Sequence, residues 1–387
     1  MSGDAASLFV PRSGESWRDP FPMYRALREH DPVHRVEDNG EGEDYWVLSR
    51  FEHVFDAVVD ARTFSSEQGL TFSYGEREKI GIEAPIVMMD PPAHTALRKL
   101  AIKRFTPRAV VALEPLIRGF VAERIERLRE KGHGDVVAEL LKPLPSLVVA
   151  HFLGVPREAR ALFDRWTQAI VAANASGNVL SAAAAVGEMS VYFTALMEQR
   201  RKDPGEDLIS ALVHARLDGG KEVSSAQILG MGFTLVTGGN DTTTGLLGGA
   251  LELLTRHPEQ RALLLEHPGR TKNAVEEFLR LTSPVQGLAR TTTRDVELAG
   301  TTIPRGRKVL LLYASANRDE REFGADAAEC RVERRIRRIV HPQSVRMDEL
   351  YRNSAIFATI QLPHFRAKPI FAPCQIISRV VRVPRTY

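Results

Sequence analysis

The run from Ile228 to Leu254 is apolar enough for a buried helix, yet its middle carries Gly238-Gly239-Asn240-Asp241-Thr242-Thr243. A mid-helix glycine costs about 1 kcal/mol relative to alanine, and an unpartnered buried polar group costs roughly as much or more. A helix that keeps such residues needs something to offset that cost. Its start is well marked, because Ser224 with Gln227 three residues on forms a capping box and Val223 is placed to pack on Ile228. The spacing predicts one long helix over Ser224–Leu254 with Asp241 near its middle. Two readings of the insertion stand. In one it is a kink at a helix crossing, with threonine hydroxyls bonded to carbonyls one turn earlier. In the other, Gly238 and Gly239 let a planar ligand approach the backbone, Thr242 opens a small groove and Asp241 relays protons.

Around that helix the chain reads as mostly α with a small β lobe. Apolar residues recur at three- and four-residue steps over Phe51–Val59, Ala109–Arg129, Val186–Arg201 and Glu259–Glu266. A hairpin is predicted over Val33–Leu48 around the turn cluster Asp38-Asn39-Gly40-Glu41-Gly42, and a second over Val296–Leu312, turning at Pro304-Arg305-Gly306. The β lobe is expected from residues 33–48 and 289–312. At 387 residues and 43% hydrophobic composition there is material for a sizeable core. No signal peptide or spanning segment is evident, so the expected setting is cytoplasmic, with no membrane. Two cysteines, Cys330 and Cys374, are too few for a disulfide framework or a multi-cysteine zinc site.

Three further groups could carry chemistry. Glu277 and Arg280 lie three apart in Glu277-Phe278-Leu279-Arg280; by itself such a pair is a surface ion pair worth ~0–1 kcal/mol. His94 and Arg98 lie four apart just after Asp90-Pro91-Pro92, where proline can start a helix that places both on one face. Taken alone they make an exposed basic first turn. Arg290 precedes Thr291–Thr293 and is uninformative singly. Together His94, Arg98 and Arg290 are three donors suited to carboxylates.

In this order and spacing, these elements resemble the cytochrome P450 family of haem-thiolate monooxygenases, particularly its soluble bacterial members. The resemblance runs from about Asp19 to Arg338. It rests on Met89-Asp90-Pro91-Pro92-Ala93-His94-Thr95-Ala96-Leu97-Arg98, on Gly238–Thr243, on Glu277–Arg280, on Arg290 with Asp295, Glu297 and Gly300, and on Ala316-Asn317-Arg318-Asp319. It implies a cytochrome P450-like fold, incomplete at the C-terminus, binding haem b. It implies that His94, Arg98 and Arg290 meet the haem propionates and that Gly238 and Gly239 border the cofactor. Asp241 and Thr242 resemble the acid and alcohol that deliver protons to dioxygen, and Glu277 with Arg280 the buried structural pair. The implied reaction puts one atom of O2 into a hydrophobic small molecule, with electrons from a ferredoxin-type partner. Arg98, Lys99, Lys103, Arg104, Arg334, Arg335, Arg337 and Arg338 are the candidate docking charges, on what is otherwise a solvated basic face. Nucleic-acid binding is not expected, since no binding motif or stacking pattern accompanies the charge. The segments Ser65–Ile86 and Trp166–Val179 are expected to line a hydrophobic substrate pocket.

The resemblance stops near Val340. The family's axial cysteine, in a Phe-x-x-Gly-x-x-x-Cys-x-Gly loop, is expected within roughly ten residues, where its thiolate would promote O–O cleavage. The chain instead reads His341-Pro342-Gln343-Ser344-Val345-Arg346-Met347-Asp348-Glu349-Leu350, with neither Cys nor Gly. The last of the 28 glycines is Gly324, and residues 341–387 hold seven Lys or Arg against two acids although the whole chain is only +3. This predicts a cytochrome P450-like domain over 1–340 and an atypical segment over 341–387. The metal ligand is unassigned: Cys330 lies upstream of the expected place, Cys374 downstream without a glycine-bearing loop, and His341 near it but with different chemistry. The alternative function is a haem-deficient remnant or binding protein on the same scaffold.

Overall fold

Short β-branched and aromatic runs bounded by turn residues build the one substantial sheet. In the computed structural model, which describes residues 9, 18–38, 40, 42–80, 83–176 and 179–341, its order is β1-β2-β7-β4-β3. β1 (Val33–Val36) pairs antiparallel with β2 (Tyr45–Leu48), so the first predicted hairpin forms. β2 runs parallel to β7 (Lys308–Leu311), and β7 pairs antiparallel with β4 (Leu288–Thr292). β3 (Phe64–Ser65), absent from the sequence reading, closes the edge against β4.

The second predicted hairpin is corrected. β5 (Val296–Leu298) turns through Ala299 and Gly300, both at positive φ, and pairs with β6 (Thr301–Ile303) in a separate two-stranded sheet. Pro304 to Gly306 instead carries the chain into β7, which joins the large sheet. Thr292 explains the diversion: its hydroxyl donates to Pro304 O, and its Oγ1 accepts from Arg307 N, tying that turn to β4.

The chain divides into two compact units, described here separately. Among the described residues the first comprises those up to 96, 276–330 and 335–341, and it holds the sheet with α1 (Phe21–His30) and α2 (Phe51–Val59). Alternation along the strands gives its two faces different cores. Trp46, Leu48, Val309 and Leu311 pack with Phe51 and Val54 of α2, whereas Tyr45, Val47, Leu310 and Leu312 pack with Tyr24 and Leu27 of α1.

The second unit, residues 97–275 and 331–334 among those described, is mostly helical. Its chain begins within α3 (Ala93–Ile102) and continues through α4 (Glu114–Lys131), α5 (Pro143–Phe152), α6 (Arg160–Ser176) and α7 (Ala183–Lys202). The predicted helix over Ala109–Arg129 is split, with Pro107–Ala112 ending before Leu113 and α4 starting with Pro115 in its first turn. Then comes α8 (Ser225–Arg256), 32 residues long, with the predicted capping box formed in both directions. α9 (Pro258–Glu266) and α10 (Thr271–Thr282) follow, the chain re-entering the first unit within α10. α8 packs against α5, α6 and α7. Among the described residues no helix is long and apolar enough to cross a membrane. Residues 342–387, including Cys374 and nearly all of the atypical segment, lie outside the described residues.

Candidate functional site

The polar insertion does not interrupt α8, which stays α-helical through Gly238–Thr243. Side chains four apart share a face, so Gly238, Asp241, Thr242 and Gly245 line one stripe. That stripe is open to solvent at Asp241 and Gly245, while Asn240 behind it is buried and donates Nδ2–H to Val236 O at 2.8 Å. Thr242 donates its hydroxyl to Gly238 O at 2.5 Å. This is the back-bonding of the helix-crossing reading, and it also leaves the hydroxyl oxygen facing the stripe.

The two glycines differ. A Cβ on Gly239 would stand 3.0 Å from Val149 Cγ2 of α5, so this glycine permits close helix packing. A Cβ on Gly238 would meet nothing within 4 Å. Packing within the unit therefore does not account for Gly238. Partial burial raises the Asp241 pKa above the ordinary carboxylate value, and the positive charge of Lys142 opposes the rise.

In the first unit, Glu277 and Arg280 are both fully buried and joined twice: Nε to Oε2 at 2.7 Å and Nη2 to Oε1 at 2.9 Å. Arg280 Nη1 also donates to the carbonyls of Asn317 and Ala327 at 2.7 and 2.6 Å. Both side chains are 0% exposed, so the pair is not a surface one.

Arg290, on β4 and 9% exposed, donates Nη1 to Ala289 O at 2.9 Å and makes no ion pair among the described residues. A buried guanidinium without a counter-charge is costly unless an anion completes it. The cradle therefore fits a ligand carboxylate such as a haem propionate. His94 and Arg98 are half-buried on successive turns of α3.

An axial ligand is another matter. Cys330 is a buried thiol in the first unit, held beside Ala327 and Glu329, whose carbonyls accept from Arg280. His341 follows Val340, which Asn317 grips through both backbone groups: Val340 N donates to Oδ1 at 2.8 Å, and Nδ2 donates to Val340 O at 2.7 Å. Burial pushes the His341 pKa down to about 4, so the imidazole is neutral at pH 7. Among the described residues no group of three or more His, Cys, Asp or Glu could hold a metal ion. Within the first unit Arg290 thus fits a ligand carboxylate, and within the second the α8 stripe leaves Gly238 uncovered.

The sequence reading missed Tyr313. In sequence it is one more large residue in an apolar run, and only the fold sets it beside Arg290.

Comparison with known proteins points to one family. The family model described as "Cytochrome P450" matches residues 270–334, which contain Glu277, Arg280 and Arg290. "Cytochrome P450 130" of Mycobacterium tuberculosis is 58% identical over 345 residues, covering 88% of this chain and 85% of that protein. "Vitamin D(3) 25-hydroxylase" of Pseudonocardia autotrophica is 36% identical, covering 79% and 75%. Among solved structures, cytochrome P450 CYP109Q5 from Chondromyces apiculatus superposes with a TM-score of 0.77 at 34% identity, covering 90% of this chain and 88% of that one.

Proposed function

Because the chain belongs to the cytochrome P450 family, we propose that it is a cytoplasmic haem monooxygenase placing one oxygen atom of O2 into a hydrophobic small molecule, with electrons from a ferredoxin-type protein. When bound, haem b supplies the dioxygen chemistry. The protein's part is to hold the cofactor and manage protons. His94, Arg98 and Arg290 are assigned to the propionates, where arginine forks match carboxylate geometry. Gly238 and Gly239 are assigned to the macrocycle's approach, Asp241 to proton uptake from solvent and Thr242 to its delivery. The observation that carries this reading is the open stripe of α8, where an unpacked Gly238 adjoins a carboxyl with a raised pKa and a hydroxyl one residue on. Lys99, Lys103, Arg335, Arg337 and Arg338 are exposed and suit an acidic electron donor.

A second reading has its own support. The stretch His341–Leu350 holds neither cysteine nor glycine, which favours a haem-deficient remnant or binding protein on the family's scaffold. A reduced carbon monoxide difference spectrum of the purified full chain separates the two. The long-wavelength Soret band of a thiolate-ligated haem is the result expected of the monooxygenase. Absence of haem uptake sinks that reading and leaves the second.

A further inference from the structure

Tyr313 is wholly buried at the start of the short helix Tyr313–Ala316, just after β7. Its ring belongs to the apolar cluster of Trp46, Phe51, Val309 and Leu311, and beyond the adjacent Arg290 guanidinium, which can only donate to it, its hydroxyl has no hydrogen-bond partner among the described residues. An unsatisfied buried O–H destabilises a fold, so for packing alone phenylalanine would serve better.

What the hydroxyl lies against is the other incomplete polar group of this region. Arg290 pairs in register with Val309, which places its side chain on the sheet face that bears Val309 and the Tyr313 cluster. Burial pushes the Tyr313 phenol up, and the nearby Arg290 guanidinium opposes that push. Arg290 has no carboxylate partner among the described residues; its guanidinium donates to the carbonyl of its own neighbour and lies against the Tyr313 oxygen. Two buried donors thus adjoin one another, one charged and one neutral, with no anion between them. A water could accept from the phenol, but it would leave the guanidinium uncompensated. A carboxylate satisfies both.

We propose that Tyr313 is a cofactor-binding residue, its O–H and the Arg290 guanidinium together taking one free carboxylate, a propionate of the haem. The assignment rests on the haem reading above and adds a selectivity to it: the site distinguishes a porphyrin acid from its ester.

The test uses metal-free protoporphyrin IX and its dimethyl ester, each titrated into the full-length chain by quenching of tryptophan fluorescence. Neither probe needs an axial ligand. The wild-type chain should prefer the diacid, and Tyr313→Phe should weaken the diacid about tenfold while leaving the diester unchanged. Arg290→Gln should also weaken the diacid, and the double variant should lose less than the two single losses combined, since both groups serve one carboxylate. Without ligand, Tyr313→Phe should melt no lower than the wild type, because the O–H it removes has no acceptor in the protein. Unchanged diacid affinity in Tyr313→Phe, equal weakening of both probes, or a lowered melting midpoint overturns the assignment and leaves the haem reading standing. No binding of either porphyrin by the wild type overturns both.

Discussion

At the residue scale, the same letters carry different energies depending on burial, and sequence alone does not report burial. Glu277 and Arg280 are worth ~0–1 kcal/mol as an exposed pair. Fully buried and joined twice, they become strongly coupled to the fold, because losing one partner strands the other's charge. Glu277→Ala is therefore expected to destabilise the chain by about 3–5 kcal/mol in urea unfolding. A loss of under about 1 kcal/mol would show that the pair behaves as a surface one. His341 gives a pH signature. Its folded pKa is depressed to about 4, against about 6.5 when unfolded. The unfolded chain thus binds more protons between these values, so the contribution is fully present above about pH 6.5 and lost as pH falls toward about 4. Urea midpoints taken across that window should fall less steeply with acid in His341→Gln than in the wild type. Parallel slopes would mean that the imidazole stays solvated in the folded chain.

Elements were legible where their signals are local. The ends of α8 follow from Ser224, Gln227 and periodicity, and the hairpin of β1 and β2 from alternation around a turn cluster. The partner of β7 was not legible, because parallel pairing with β2, more than 250 residues away, is fixed by tertiary contacts that leave no local pattern. The turn at Pro304-Arg305-Gly306 looked like a hairpin signal for the same reason: turn chemistry says that the chain bends, not which strands it joins. Within α8 the two glycines make separable predictions. Gly238→Ala meets no neighbour, so it should stabilise the ligand-free chain by up to about 1 kcal/mol through helix propensity. The same methyl should impair porphyrin binding if the stripe admits the macrocycle. Gly239→Ala must displace Val149 and should lack that gain. Thermal melts and porphyrin titrations of both variants decide the point, and undiminished porphyrin binding by Gly238→Ala would remove the stripe from the site.

For the whole molecule, the decisive boundary is His341. Val340 is bound into the first unit: it is 0% exposed, belongs to the cluster of Trp46 and Tyr313, and is held on both backbone groups by Asn317. Asn317 itself belongs to the Ala316–Asp319 motif of the family resemblance, so the motif's local chemistry persists to the last residue before the departure. The residues proposed for the propionates, the α8 stripe and the Glu277–Arg280 pair all precede that point. On the proposed haem reading, the lack of a cysteine in His341–Leu350 is therefore a local deficit, and it should be reparable. A chimera keeping residues 1–340 and taking the corresponding C-terminal segment of the Mycobacterium tuberculosis relative is expected to retain haem and give the thiolate-type carbon monoxide spectrum. Arg290→Gln in that chimera should weaken haem retention without moving the band, since it acts on the propionate and not on the iron. A chimera that melts cooperatively yet takes up no haem would place a second defect within residues 1–340, and the remnant reading would then hold for the scaffold itself.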